Sequence, residues 1–122
     1  MLYVKFNKDG SVNELSITES INQGNDNVNT VFATFDSLSL TSPTIKAEFE
    51  LPDQSVVEVN TSATTIDDES GYQLAIPKEA TKYAGTVNLY FKVSNSQGAL
   101  YTQKVPLLIN KTSFVYEEEE EE

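Results

Sequence analysis

The chain has 122 residues, nineteen acids against eight lysines, and a formal charge of −11, with no His, Cys or Trp. Arginine is missing as well. The side chains most often used as nucleophiles, proton shuttles, soft-metal ligands and phosphate clamps are therefore gone, so neither an enzyme nor a cofactor is expected.

The length suits a single domain burying roughly 65% of its unfolded surface. Six of the acids form the terminal run Glu117 to Glu122, which leaves thirteen acids and eight lysines, a charge of −5. A mildly acidic body is poorly matched to nucleic acid or to anionic membranes, both of which call for clustered cations. No stretch approaches the ~20 apolar residues of a membrane span. The first ten residues, MLYVKFNKDG, alternate where a signal peptide would run continuously apolar. That pattern predicts a mature cytosolic product. Lack of Cys excludes disulfides, which suits a reducing compartment and also many exported bacterial proteins.

Alternation of apolar and polar residues, the period of a half-buried strand, dominates the chain. Leu2, Val4 and Phe6 share one face of a first strand, and Asn7-Lys8-Asp9-Gly10 turns it toward a hairpin partner containing Leu15 and Ile17. Glu19 to Asn27 is the most polar loop and is expected to be exposed and mobile. Val28 to Phe35 reads as a strand, but adjacent Val31 and Phe32 require either two covered faces or a bulge. After a turn through Pro43, Thr44 to Leu51 alternates without error: Ile45, Ala47, Phe49 and Leu51 against Lys46, Glu48 and Glu50. Pro52-Asp53-Gln54 then leads into a second hairpin arm with Val56, Val57 and Val59.

Asn60 to Ser70 is a polar stretch, and Gly71 opens a strand with Tyr72, Leu74 and Ile76 on one face. Residues 77–84 have the only helical composition, with Pro77 suited to a first turn and Gly85 to a stop. Gly85 to Ser94 alternates again, and Asn95-Ser96-Gln97-Gly98 turns into a final strand from Ala99 to Asn110. Pro106 has no N–H for a ladder, which puts that strand at an edge or bulges it. Seven to eight strands at hairpin spacing predict an all-β antiparallel sandwich, Ig-like or jelly-roll-like, with one short helical turn. The domain spans residues 1–113, followed by an acidic tail, 114–122, that is either solvated or the start of a helical connector.

Candidate sites are few. Phe114, Val115 and Tyr116 either pack on the sandwich or dock onto a partner, with Phe114 and Tyr116 the candidate partner contacts. Asp67-Asp68-Glu69 and Asn25-Asp26-Asn27 gather oxygens of the kind calcium takes, but neither follows a full loop signature, and a hydrophilic turn explains them. The carboxylates Asp53 and Glu58 lack any spacing that makes them a hydrolytic pair. Tyr72, Tyr83, Tyr90 and Tyr101 would make a sugar-stacking platform if they shared an exposed face.

From about Asn29 to Asn110 the layout resembles the N-terminal domain of the upper baseplate proteins of tailed phages that infect Gram-positive bacteria. The resemblance rests on Val28 to Phe35, on Ile45-Lys-Ala-Glu-Phe-Glu-Leu-Pro-Asp, and above all on Gly71-Tyr72-Gln-Leu-Ala-Ile-Pro77 followed by Gly85-Thr-Val-Asn-Leu-Tyr-Phe-Lys-Val. Where that family carries an Asp-Leu-Thr-Gly-like segment, this chain has Ser39-Leu40-Thr41-Ser42. The resemblance implies a non-enzymatic virion structural protein, made in the bacterial host cytoplasm, that anchors connector or receptor-binding parts to the tail. Its implied partners are other tail and baseplate proteins and copies of itself, with no functional residues carried over. A carbohydrate-binding or adhesin-type sandwich on a bacterial surface is the alternative.

Overall fold

A computed structural model describes residues 1–36 and 42–115. Most of the Ser39-Leu40-Thr41-Ser42 segment and the tail from Tyr116 onward lie outside the described residues. The strands are β1 (Leu2–Phe6), β2 (Val12–Ile17), β3 (Ile21–Asn22), β4 (Thr30–Phe35), β5 (Thr44–Glu50), β6 (Val56–Asn60), β7 (Ser62–Ile66), β8 (Glu69–Ala75), β9 (Gly85–Asn95), β10 (Gly98–Tyr101) and β11 (Val105–Asn110). One sheet has the order β2-β1-β4-β8-β7, the other β3-β11-β9-β5-β6, with β10 also paired to β9. The all-β sandwich follows directly from the alternating segments, whose apolar faces need a second sheet to cover them.

Four expectations are corrected, the last of them the strand from Ala99 to Asn110 described below. The ladder is mixed: β1 runs parallel to β4, and β11 parallel to β3. Both parallel contacts join strands distant in sequence, which hairpin spacing does not reveal. The strand count is eleven among the described residues, because two stretches read as loops carry pairing and one expected strand is split in two. Asn60 to Ser70 holds β7 and the start of β8. The polar loop at 19–27 holds β3, whose Ile21 is only 2% exposed and therefore belongs to the core. Finally, residues 77–84 form no helix. Ala80 N–H donates to the Pro77 carbonyl and Thr81 N–H to that of Lys78, two successive turns that go no further.

The core lies between the sheets. Leu2, Val4 and Phe6 of β1 and Val31 and Ala33 of β4 face Phe49 of β5, Leu89 and Phe91 of β9 and Leu107 of β11, all buried. Phe6, Phe35 and Phe91 form an aromatic triangle across the two layers, with centroids 5.3 to 6.0 Å apart. The Val31–Phe32 ambiguity resolves as two covered faces. Val31 points into the core, while Phe32 lies on the outer face of its sheet at only 2% exposure. Tyr3 caps the Phe32 ring edge-on at 6.1 Å, and its hydroxyl donates to Glu69 Oε1 at 2.8 Å. Gly71 makes room for Phe32, since a Cβ there would fall 2.2 Å from the ring and 2.6 Å from the Ala33 carbonyl oxygen.

Two hairpin turns share one chemistry. In both Asn7-Lys8-Asp9-Gly10-Ser11 and Leu51-Pro52-Asp53-Gln54-Ser55, the first residue's N–H donates to the last carbonyl, and the fourth residue's N–H donates back to the first. In each, an aspartate oxygen accepts the N–H and hydroxyl of the following serine. The fourth position is left-handed, with φ of 88° at Gly10 and 70° at Gln54. The β7–β8 turn is a two-residue reversal with both Asp67 and Asp68 at positive φ, 49° and 65°, the type I′ geometry that suits strand twist.

The expected single strand from Ala99 to Asn110 is broken. β10 pairs with β9 at residues 92–95 and β11 with β9 at 85–89. Between them Thr102 N–H donates to the Phe91 carbonyl at 2.9 Å, and Thr102 Oγ1 accepts the Phe91 N–H at 2.8 Å. A side-chain hydroxyl thus replaces a missing ladder carbonyl. Pro106 sits beyond this break, in a part of β11 that among the described residues has no strand on its other side, in keeping with the edge reading.

Two stability predictions follow from these details. Thr102→Val keeps the shape but strips the buried Phe91 N–H of its acceptor, and should lower unfolding free energy by about 1–3 kcal/mol, measured by urea denaturation. The matched turns give opposite signs for their fourth residue. Gln54→Gly relieves left-handed strain and should raise stability by about 0.5–1 kcal/mol. Gly10→Ala adds that strain and brings a Cβ to 3.1 Å from the Tyr101 carbonyl oxygen, so it should lower stability in the same assay.

Candidate functional site

Two surfaces stand apart from the ordinary polar exterior. The first is the open side of the sandwich between β2 and β11. Leu15 and Ile17 pair with Val4 and Leu2 on the core face of their sheet, yet each remains 44% exposed because β2 is the last strand. Leu108, on the neighbouring sheet, is 66% exposed. Ile17, Leu107, Leu108 and Pro106 line a groove of about 300 Å³. Gln103 closes one end, donating its N–H to the Gly10 carbonyl and accepting the Val12 N–H through Oε1. The Thr18–Ser20 crossover from β2 to β3 closes the other. The opposite side of the sandwich has a corresponding crossover, where Thr61 alone separates β6 from β7 and its hydroxyl donates to the Ile45 carbonyl.

The second surface is the outer face of the sheet containing β5 and β9. Here Glu48 stands opposite Tyr90 on one side and Glu58 on the other, and Lys46 stands opposite Lys92. Tyr90 and Tyr101 rings lie 6.2 Å apart. Lys92 is 5.8 Å above the Tyr101 ring and Lys104 5.8 Å above that of Tyr90. Lys104 also reaches across β9 to both oxygens of Glu50 at 3.1 and 3.2 Å. The Tyr90 hydroxyl donates to Glu48 Oε1 at a long 3.4 Å, and Glu48 Oε2 is buried without a hydrogen-bond partner.

The sequence-derived candidates distribute as follows. Of the four tyrosines only Tyr90 and Tyr101 share a face. Tyr72 packs its ring edge against Phe35 at 5.9 Å, and Tyr83 sits in the turn before β9 beside Lys82. Asp67 and Asp68 form the type I′ turn, and Glu69 accepts from Tyr3. Asn25 donates to Asn29, Asp26 accepts the Lys78 N–H, and the Asn27 N–H donates to the Ile76 carbonyl, so that loop spends its polar groups internally. Among the described residues no group of three or more acidic side chains converges as a cation site. Asp53 belongs to its turn, whereas Glu58 pairs with Lys46 at 3.0 Å. Phe114 lays its ring on Gly24, where a Cβ would come within 2.6 Å of it. Tyr116 lies outside the described residues. The β2–β11 rim was missed from the sequence, because Leu15 and Ile17 of β2 and Leu108 of β11 lie far apart in the chain and meet only in the fold.

The chain matches no protein-family model and no curated protein. Among the described residues no helix is long and apolar enough to cross a membrane.

The charges fix a pH response. The Lys104 ammonium, and then the Asn88 amide, hold the Glu50 carboxyl below its ordinary value, while Ser11 and Ser55 do the same for Asp9 and Asp53. Burial, reinforced by Glu48, raises the Tyr90 phenol. A depressed carboxyl contributes stability above its unfolded pKa that is lost as pH falls through its folded value, and a raised phenol contributes stability that is lost as pH rises through its folded value. The melting temperature should hence stay level between about pH 6 and 9, fall below about pH 4.5 and fall again above about pH 10. In scanning calorimetry, Lys104→Met should flatten part of the acid limb and Tyr90→Phe part of the alkaline one.

Proposed function

We propose that the chain is a non-enzymatic structural protein of a phage virion, an anchoring module of the tail baseplate that attaches connector or receptor-binding parts to the tail. The open β2–β11 side carries this reading. An edge strand offers one row of ladder groups for pairing with another chain, and here the rim beside it is apolar and grooved. An added strand places alternate side chains on the core face of its sheet, which is where Leu15 and Ile17 overhang. A protein that works by contact needs such a surface and no reacting groups. The layout from about Asn29 to Asn110 that resembles the baseplate domain points the same way. Its partners are then the other tail and baseplate proteins, met in the virion by repeated copies of this chain.

The test is light-scattering mass of the purified chain, alone and mixed with tail-tip proteins encoded beside it. A complex of defined mass is expected. Ile17→Lys combined with Leu108→Lys should abolish it while shifting stability by no more than about 1 kcal/mol, since both side chains are substantially exposed. A chain that stays free in every mixture, or a complex untouched by the double substitution, would sink the reading.

A further inference from the structure

Among the described strands that end a sheet, β2 alone carries two large aliphatic side chains on its core face, Leu15 and Ile17, that stay 44% exposed. At the far edge of the same sheet β7 has only Ala63 and Thr65 in the corresponding places. The β2 backbone is open at the same two residues. The Asp36 N–H donates to the Phe6 carbonyl, so Leu2, Val4 and Phe6 turn their main-chain groups toward β4, while Tyr3 and Lys5 turn theirs toward Ser16 and Glu14 of β2. Main-chain groups alternate sides along a strand, which leaves the N–H and C=O of Leu15 and Ile17 facing outward. Farther along that edge the Val12 N–H is already taken by Gln103 Oε1. What remains is symmetric: one donor and one acceptor on each side of Ser16.

We infer that β2 pairs antiparallel with β2 of a second copy of this chain, about a twofold axis at Ser16. The inference rests on reading the open β2–β11 side as a contact surface, and it names the partner at the β2 edge. In this register Leu15 of one copy lies opposite Ile17 of the other, and the two exchange N–H and C=O, giving about four main-chain bonds across the axis. No outward group of these residues is left over. The aliphatic side chains of both copies then fall on the shared core face, beside the groove that Ile17 lines. Charge and burial select the register. An axis at Glu14 would set that carboxylate against its own copy, whereas an axis at Ser16 places Glu14 opposite the uncharged Thr18. An axis at Leu15 separates the charges but puts Ile17 opposite Asn13, which loses apolar contact. With a net charge of −11 on each copy there is no long-range attraction, so these contacts alone hold the pair and it is weak. The register uses no residue of β11, whose edge stays open beside it.

Sedimentation velocity of the full chain, from about 1 μM to about 1 mM, tests this. A monomer–dimer equilibrium with a dissociation constant of about 10–100 μM is expected, as suits a small interface. Ser16→Glu should weaken it about tenfold or more, because residues opposed in a pair without mutual hydrogen bonds stand closest, about 4.5 Å between Cα atoms, and like charges would meet there. Ser16 is exposed, so the variant keeps its fold, which circular dichroism checks. Mixed one to one with a Ser16→Lys chain, the Ser16→Glu chain should pair again, since opposite charges then meet on the axis. A parent chain that is wholly monomeric at about 1 mM would overturn the inference. So would a dimer indifferent to Ser16→Glu, or a mixture of the two folded variants that does not associate. The anchor reading is judged separately: a monomer that still joins the tail-tip proteins would sink the dimer and keep the anchor, and a dimer that ignores those proteins would do the reverse.

Discussion

The pairing of Phe91 with Thr102 is the constraint on which the rest of the molecule depends. β9 is the longest strand, eleven residues, and holds β5 along one side and both β10 and β11 along the other. It can serve two partners on one edge only if the chain between them leaves the ladder without leaving Phe91 unsatisfied. Phe91 is fully buried, so a missing acceptor at its N–H would cost much more than a gap at the surface. The threonine hydroxyl fills that place, and its own N–H returns a bond to the Phe91 carbonyl.

Breaking the strand there has consequences in both layers. It frees Gln103 to bond to Gly10 and Val12, so the β1–β2 hairpin of one sheet is tied to the last strands of the other. It brings Lys104 within reach of Glu50, on the outer face where the β9–β10 register already sets Tyr101 opposite Lys92. It also sets β11 at an edge whose outer side is covered only at Ile109 and Asn110. The edge at β11 and the Lys104–Glu50 bridge therefore share one origin, a single irregularity in the strand order. Meanwhile the Phe6–Phe35–Phe91 triangle fixes the spacing of the layers above that irregularity. Aromatic contacts of this kind add directionality to burial that is otherwise indifferent to orientation.

Strand identity was legible wherever period two was strong. Leu2–Phe6 and the Thr44 to Leu51 stretch needed only their alternating residues, and the turns at Asp9-Gly10 and Pro52-Asp53 announced themselves by composition. Pairing was not legible. β3 has two residues, too few to alternate, and becomes a strand only because Ile21 and Asn22 lie beside Ile109 and Asn110. β7 reads as Ser-Ala-Thr-Thr-Ile, polar enough for a loop, and is a strand because β8 supplies its ladder. The helical composition of residues 77–84 lost to context: Thr81, fully buried, turns its hydroxyl to the Asn25 carbonyl, and a continued helix would pull it away. For the surfaces the same division holds. Tyr90 and Tyr101 were visible as tyrosines, but their meeting depends on the β9–β10 register, which sets Tyr101 opposite Lys92, one same-face step from Tyr90.

The two outer faces of the sandwich show how one architecture separates structural from available surface. On the sheet of β1, β4 and β8, an aromatic at Phe32 is covered by Tyr3, seated over Gly71 and closed by the Glu69 hydrogen bond. The Phe32 ring contributes to folding as a small second core. On the outer face of the β5–β9 sheet the aromatics are Tyr90 and Tyr101, which carry hydroxyls and lie side by side, and Glu50 and Glu58 are held by Lys104 and Lys46. Burial of Phe32 stabilises the fold without any ligand, whereas Tyr101 gains nothing comparable from its present neighbours. A side chain that is large, amphipathic and only loosely engaged is the kind that binding energy recruits. The chemical difference between the faces, rather than their shared geometry, is what turns one of them into a small second core and leaves the other polar and solvated.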